Sequence, residues 1–271
     1  MTVRIEKSGP VWTVIHSRFD EARNAMDPAS ADALVEAFMR FDSDTSASVA
    51  VLWGEGGAFC AGWDLKYAST LADRERFDAD ITQGLAFPIG AAPAPRGPLG
   101  PTRLELSKPV IAAVEGPAEA GGMELALWCD VRVMAENAYF GVYCRRWGIP
   151  LLDGGSVRLP RLVGQGRALE IIMTGRKVPA DEALRIGMCE QVVQAGAARK
   201  AAAAMAREIA RFPQAAVRAD RRTVHESYGM PLREAMRREW HNGAEAHWRE
   251  GADGASRFAS GLGRSGDFER I

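Results

Sequence analysis

The stretch that decides the fold is residues 110–129, which read VIAAVEGPAEAGGMELALWC. Its first five residues form an unbroken apolar run, which is typical of a strand buried on both faces of a sheet. Its last five residues are also apolar, and they predict a buried helix. Gly121 and Gly122 stand where this helix begins, so unpaired N–H groups and the positive end of the helix dipole are available there. We therefore predict a strand, a tight turn and a buried helix, with a turn that can hold a negatively charged oxygen.

A second glycine-rich turn occurs at residues 54–65, which read GEGGAFCAGWDL. It also follows a wholly apolar run, residues 49–53. Small residues after a strand allow backbone N–H groups to approach a ligand closely. If the two turns face each other, they would form an oxyanion hole, which is preorganised for charge that develops on a carbonyl oxygen. The alternative is that both are simply tight connections between a strand and a helix.

Glu124 lies in the first turn of the predicted buried helix, between Met123 and Leu125. A carboxylate there is costly unless it is paired or used in catalysis. Desolvation would raise its pKa, which suits a general acid or base that works near neutral pH. The alternative is a glutamate that only stabilises the helix N-terminus beside a nearby arginine. The adjacent glycines favour the catalytic interpretation.

The rest of the chain predicts an α/β architecture in its first two thirds and helices in its last third. Strands are predicted at residues 11–16, 49–53, 110–114 and 131–134, and helices at residues 27–42, 197–211 and 232–250. Asp27 and Pro28 are the residue types that begin a helix, as its N-cap and its first residue. Residues 85–101 are rich in proline and glycine, and they predict a mobile surface loop that would be able to cover a substrate.

Composition excludes several classes of function. The chain has 271 residues and a net charge of −1, which favours neither a nucleic acid nor a membrane surface as partner. No apolar run approaches the roughly 20 residues that span a bilayer, and no signal peptide is apparent. The four cysteines form no CxxC pair, so a cytoplasmic protein is expected. There is no HExxH motif, P-loop or GxSxG motif, and no metal site is predicted.

The two glycine-rich turns resemble those of the enoyl-CoA hydratase/isomerase (crotonase) family, and the resemblance covers nearly the whole chain. Residues 58–66 are similar to the family's first oxyanion segment, and residues 120–126 to the second. The resemblance implies that the amides of Trp63 and Gly121 are the two oxyanion donors. It also implies that Glu124 is the first catalytic glutamate.

The same resemblance implies where coenzyme A binds. Residues 21–25 look like the family's early loop, in which Arg23 would contact a phosphate of the nucleotide. The implied substrate-binding residues are Arg23, Ala25, Ala61, Asp64, Leu65 and Lys66. No cofactor is expected, because coenzyme A enters as part of the thioester substrate.

The family fold is a spiral of ββα units followed by a helical trimerisation region. By this resemblance residues 1–195 would form the spiral core with the thioester site, and residues 196–271 the C-terminal helical region. A homotrimer or hexamer is expected on the same ground.

The sequence departs from the family pattern at two positions. Hydratases carry a second glutamate where this chain has Cys144, so one half of the acid–base pair is replaced. Asp153 is the alternative acid, although a role in a turn or as an N-cap would also explain it. Arg145 and Arg146 would be able to lower the pKa of the Cys144 thiol, but a packing role is the plainer interpretation. Trp63 stands where small residues are usual, and its indole would narrow the acyl pocket.

These observations predict an enzyme that acts on an acyl- or enoyl-CoA through a thioester enolate, with Glu124 moving the proton. Isomerisation of a double bond is easier to support than hydration, because one base is enough for it. Another reaction on the same scaffold, such as thioester hydrolysis, is also compatible with the fold. The alternative from a different class is a non-catalytic acyl-CoA-binding protein.

Overall fold

A computed structural model describes residues 2–90 and 92–266. The strands are β1 Val3–Ser8, β2 Val11–His16, β3 Val49–Gly54, β4 Val110–Val114, β5 Pro117–Glu119, β6 Val131–Ala135, β7 Tyr139–Gly141, β8 Lys177–Pro179 and β9 Gln191–Val193. The α-helices are α1 Phe19–Ala22, α2 Pro28–Ser43, α3 Leu65–Ser69, α4 Arg74–Phe77, α5 Gly121–Trp128, α6 Gly155–Val163, α7 Gln165–Thr174, α8 Ala180–Arg185, α9 Ala198–Arg211, α10 Gln214–Glu226, α11 Leu232–Ala246 and α12 Ala252–Ala259. Wide π-helical turns occupy Asp78–Gln83 and His247–Gly251, and 3₁₀ turns occupy Pro101–Arg103 and Tyr143–Trp147.

Six strands form the main sheet, in the order β1-β2-β3-β4-β6-β9. Strands β1 and β2 are antiparallel, and every later neighbouring pair is parallel. The central strands β3 and β4 are apolar and buried along nearly their whole length, as expected for parallel strands covered on both faces. A second sheet of three short strands, β5-β7-β8, lies beyond the ends of β4 and β6.

The two faces of the main sheet pack against different helices. Along β3, Ala50 and Leu52 belong to the large core cluster that includes residues of α2 and α5. Val49 and Val51 point the other way, into a smaller cluster with Ala202 of α9. Helix α9 therefore covers one face of the sheet.

The four strands predicted from the sequence are confirmed, and so are the helix that begins at Pro28 and the long helices of the last third. Asp27 is the N-cap of α2, because its side chain accepts a hydrogen bond from the Ser30 amide. The division of the chain after residue 195 stays a prediction. Strand β1 and the short strands β5, β7, β8 and β9 were not predicted.

Candidate active site

The two glycine-rich turns lie against each other because β3 and β4 are parallel neighbours. Parallel strands end at the same edge of a sheet, so the segments that follow them meet there. The Phe59 amide donates to the Pro117 carbonyl at 2.9 Å, and the Glu119 amide donates to the Cys60 carbonyl at 2.9 Å. A Cβ atom on Gly122 would lie 2.0 Å from the Cys60 carbonyl oxygen, so only glycine allows this close approach.

The amides of Trp63 and Gly121 are the two oxyanion donors expected from the resemblance, and both residues line one cavity. Within residues 2–90 and 92–266, neither amide donates a hydrogen bond to another protein group. Gly62, with a φ of 91°, brings the segments together, and a Cβ atom there would lie 3.1 Å from the Gly121 nitrogen. Two free N–H groups at one cavity wall can bind an oxygen that gains negative charge.

The cavity has a volume of about 510 Å³, which is within the range of small-molecule sites. It contains ten of the eleven residues that the sequence nominated. These are Ala25, Ala61, Trp63, Asp64, Leu65, Lys66, Gly121, Glu124, Cys144 and Asp153. Arg23 does not line this cavity; its side chain is exposed on the outer surface of the early loop.

Glu124 is 2% exposed and is held by the turn that begins α6. Its Oε1 accepts hydrogen bonds from the Asp153 amide at 2.9 Å and the Gly155 amide at 2.8 Å. Among the described residues, none donates to its other oxygen, Oε2, and the residue lines the cavity. Burial, and then the charge of Asp153, raise the pKa of Glu124 to about 8. Its carboxyl group can therefore exchange a proton near neutral pH, as predicted from the sequence.

Asp153 is the second buried carboxyl group of the cavity, at 3% exposure. Its Oδ1 accepts hydrogen bonds from the Thr102 hydroxyl at 2.5 Å and the Leu99 amide at 3.0 Å. Burial raises its pKa, against the opposing effect of these hydrogen bonds. The sequence suggested Asp153 as a substitute acid or as a turn residue. In the structure its backbone amide bonds Glu124 within the turn, and Asp153 lines the same cavity as Glu124.

Arg158 connects the Asp153 turn to the turn at Pro101–Arg103, and no sequence pattern singles it out. Its guanidinium donates to the Asp153 carbonyl at 2.8 Å and to the Thr102 carbonyl at 2.7 Å. Its positive charge lowers the pKa values of both Glu124 and Asp153, although burial raises both more strongly. Both of its hydrogen bonds go to carbonyl groups, so its charge acts on the carboxyl groups without a direct bond to them.

Cys144 lines the cavity at the position where a second glutamate was expected, and it is 8% exposed. Burial raises the pKa of its thiol, and this outweighs the opposing charge of Arg145. The thiol is therefore uncharged at neutral pH and is a weak base and a poor nucleophile.

The early loop is fastened to the first oxyanion segment by backbone hydrogen bonds. The Met26 amide donates to the Gly62 carbonyl at 2.7 Å, and the Asp64 amide donates to the Met26 carbonyl at 2.8 Å. Arg18, which the sequence analysis missed, bonds the Ala25 carbonyl at 2.7 Å and the Asp64 carboxylate at 2.9 Å. The Asp64 side chain also caps α3, so it fixes the groove that the resemblance assigned to coenzyme A.

Residues 13–86 and 101–258 match the family described as enoyl-CoA hydratase/isomerase. The chain belongs to this family. It is 34% identical to enoyl-CoA hydratase EchA19 of Mycobacterium tuberculosis over an alignment of 240 residues. That alignment covers 86% of this chain and 84% of the relative. It is 36% identical to carnitinyl-CoA dehydratase of Salmonella typhimurium over an alignment of 238 residues. That alignment covers 87% of this chain and 85% of the relative. The crystal structure of enoyl-CoA hydratase EchA1 from Mycobacterium marinum matches it with a TM-score of 0.83 and 33% identity, over 96% of both chains.

These comparisons confirm the predicted family, the predicted fold and the predicted class of enzyme, which acts on acyl-CoA thioesters. They do not favour a non-catalytic acyl-CoA-binding protein. Of the described helices, none is both long enough and apolar enough to cross a bilayer. Across the same residues there is no cluster of three or more side chains suited to hold a metal ion.

Several cavity residues of this family member were not found from the sequence. Phe77, Ile81, Tyr143 and Trp147 add apolar and aromatic surface, and Glu119 adds a fourth carboxylate beside Asp64, Glu124 and Asp153. Glu119 accepts a hydrogen bond from the Tyr139 hydroxyl at 2.6 Å. These residues line the cavity only because particular loops meet there in the folded chain, and no local sequence pattern predicts which loops meet.

Proposed function

We propose that the chain catalyses the reversible addition of water to the double bond of a 2-enoyl-CoA, through an enolate held by the Trp63 and Gly121 amides. The observation that carries the proposal is the pair of buried carboxyl groups, Glu124 and Asp153, in the cavity that both amides line. Hydration needs one group that activates water and another that handles the α-proton. Asp153 supplies the carboxyl group that Cys144 lacks.

In the hydration direction, the Asp153 carboxylate removes a proton from water as the water oxygen bonds to C3. The electron pair of the double bond moves toward the thioester oxygen, and the two amides stabilise the negative charge that forms there. The Glu124 carboxyl group then gives its proton to C2, and the thioester carbonyl reforms. Asp153 ends protonated and Glu124 ionised, so one proton must pass between them through solvent before the next turnover.

The electrostatics of the pair support these roles. Two carboxyl groups that share a buried site do not both ionise readily, because each charge disfavours the other. Burial, and then the charge of the ionised Asp153, raise the pKa of Glu124 to about 8. The proposed reaction starts from the pair with one proton, with Asp153 as the base and Glu124 as the acid.

A double-bond isomerase is the second candidate. It is favoured by the arrangement of Glu124, whose Oε1 is fixed by two amides while Oε2 accepts no bond from a described residue. Such a carboxylate can move a proton between C2 and C4 without a second group. The two candidates differ in their need for Asp153.

The test uses purified wild-type enzyme, Glu124→Gln, Asp153→Asn and the control Glu119→Gln, which changes a cavity carboxylate that has no role in the proposed reaction. Each is incubated with 2-enoyl-CoA and 3-enoyl-CoA in D₂O. Product masses report water addition, and NMR reports deuterium at C2 and C4. We expect each catalytic substitution to lower the hydration rate by about 10²–10⁴-fold. Glu119→Gln should keep most of the wild-type kcat.

The outcomes separate the candidates. Deuterium at C4 without water addition, unaffected by Asp153→Asn, would establish the isomerase and refute the hydratase. Neither water addition nor exchange in the wild-type enzyme would refute both.

We also propose that the enzyme assembles as a homotrimer or hexamer. We propose that it works in the cytoplasm, in fatty acyl-CoA metabolism, and that it needs no separate cofactor. The assembly is supported by apolar side chains that stand exposed on one face of α11, namely Leu232, Met236 and Trp240. The absence of a cofactor is consistent with the proposed steps, which are proton transfers and the addition of water and involve no change of oxidation state.

A further inference from the structure

Trp63 separates two cavities. The main cavity of about 510 Å³ holds the two oxyanion amides and the two carboxyl groups. A second cavity of about 200 Å³ adjoins it. The second cavity is lined by Pro28, Trp63, Tyr67, Asp80, Ile81, Leu85, Arg96 and Pro98. Trp63, Ile81 and Pro98 line both cavities, so these three side chains form the wall between them.

The indole of Trp63 is fixed in this wall from two sides. Its backbone is anchored between the Gly62 carbonyl and the Asp64 amide, both of which bond to Met26. Its ring meets the ring of Tyr67 edge to face, with centroids 6.1 Å apart and planes at 72°. Trp63 therefore offers its amide to the oxyanion while its side chain closes the passage beyond.

This geometry has a direct consequence for the acyl chain. The carbonyl of a thioester bound by the Trp63 amide lies next to the Trp63 side chain, because both belong to one residue. An acyl chain that extends from that carbonyl toward the second cavity meets the indole. We infer that Trp63 is the residue that sets acyl-chain length, restricting the enzyme to short acyl groups and closing a compartment that longer chains would otherwise enter. This inference rests on the function proposed above.

The size of the effect follows from the burial of methylene groups. Each CH₂ transferred from water into an apolar site contributes about 0.8 kcal/mol, which is about fourfold in affinity. With tryptophan at position 63, methylene groups beyond the wall stay in water, and affinity should stop rising with chain length. With alanine there, each methylene that packs against Ile81, Leu85 and Pro98 in the second compartment should increase affinity by up to about fourfold, and a methylene that meets Asp80 or Arg96 should contribute less.

The experiment measures binding and turnover separately. Saturated acyl-CoA thioesters of about four, eight and twelve carbons serve as unreactive probes, and their Kd values are measured by calorimetry. The matching 2-enoyl-CoA series gives kcat/KM. The variants are Trp63→Ala, Trp63→Phe and the control Leu85→Ala, which enlarges the second compartment without opening the wall.

We expect the wild-type enzyme and Leu85→Ala to show no gain in affinity from eight to twelve carbons. Trp63→Ala should bind the twelve-carbon probe at least about tenfold more tightly than the wild-type enzyme does, and Trp63→Phe should fall between them. Equal dependence on chain length in the wild-type enzyme and Trp63→Ala would overturn the inference. Equal affinity of all proteins for coenzyme A alone, with matching circular dichroism spectra, verifies that the variants are folded.

The binding series also separates this inference from the proposed function. If the wild-type enzyme turns over no enoyl-CoA but Trp63→Ala changes the length dependence of binding, the proposed reaction is wrong and the role of Trp63 stands. If the wild-type enzyme hydrates crotonyl-CoA and the length dependence is unchanged in Trp63→Ala, the reaction stands and the role of Trp63 is wrong.

Discussion

Glu124 links the stability of the protein to the chemistry of its cavity. The pKa of its carboxyl group is about 8 in the folded chain, above the ordinary value of 4.5 that it has when unfolded. Between these two pH values the folded state holds a proton that the unfolded state has released. Stability therefore falls as pH rises through this window, because the burial of the ionised form is unfavourable.

We predict that Glu124→Gln removes most of this pH dependence. The amide keeps the shape of the side chain and an oxygen that can accept the Asp153 and Gly155 amides, but it never ionises. The gain in unfolding free energy relative to wild type should be near zero at about pH 5 and on the order of 3–5 kcal/mol at about pH 9. Urea unfolding at matched protein concentration across this range measures it. If the unfolding free energies of the two proteins changed with pH in parallel, Glu124 would not be buried in its charged form.

Arg158 is predicted to set the pH range in which the enzyme works. Its charge favours ionisation of both Glu124 and Asp153, so Arg158→Met should raise both pKa values. Both limbs of the pH profile of kcat/KM should then move upward by about one unit. Arg158→Lys retains the charge and should show a smaller shift. A lower rate with an unmoved profile in Arg158→Met would indicate that Arg158 only supports the turn.

At the scale of elements, the parts of the site predicted from sequence are those within single strand–turn–helix units. Glu124 and Gly121 were found because glycine, acid and apolar residues follow one another along the chain. The relation between Glu124 and Asp153 was not predictable, because the Asp153 amide reaches Glu124 only through the packing of α6 against α5. Arg18 was missed for a similar reason, since its partner Asp64 lies 46 residues further along the chain.

The short strands of the fold were also not predictable from local sequence. β5 and β7 each have three residues, too few for a period-two pattern to be recognised. Their pairing nevertheless has a role at the site, because the Ala120 amide donates to the Gly141 carbonyl at 2.7 Å just before α5 begins. The orientation of the oxyanion turn thus depends on a pairing that only the tertiary structure reveals.

The contact between the two oxyanion segments is predicted to tolerate no side chain at Gly62. A methyl group there would lie 2.8 Å from the Glu119 carbonyl oxygen and 3.1 Å from the Gly121 nitrogen. Its φ of 91° is also unfavourable for alanine. Gly62→Ala should lower kcat by about 10²-fold or more, because a displaced donor no longer meets the oxyanion.

The control for this variant is Gly57→Ala, since Gly57 also has a positive φ, of 98°, but a Cβ atom there has no neighbour within 4 Å. Both variants should lose about 1 kcal/mol of stability from backbone strain, and Gly62→Ala should lose more because its Cβ atom also clashes with the Glu119 carbonyl oxygen. Only Gly62→Ala should lose turnover. Equal loss of kcat in the two would attribute the effect to stability rather than to the oxyanion donors.

At the scale of the whole molecule, the C-terminal helices leave apolar surface uncovered. On α11, Leu232, Met236 and Trp240 recur every fourth residue, and they are 77%, 60% and 77% exposed. This spacing places them on one face of the helix. An apolar face of this kind is unusual on a protein that stays monomeric, and it supports the assembly proposed above.

We predict that Met236→Glu combined with Trp240→Glu lowers the oligomeric state. Two charges on this face would have to be buried without partners in the assembled protein, at a penalty of several kcal/mol that dissociation avoids. Light scattering coupled to size-exclusion chromatography measures the mass, and Arg233→Glu on the same helix controls for the change in charge. The two oxyanion amides and the two proposed catalytic carboxyl groups belong to one chain, so the dissociated variant should still bind coenzyme A thioesters. An unchanged mass in the double variant would show that copies of the chain associate through some other surface.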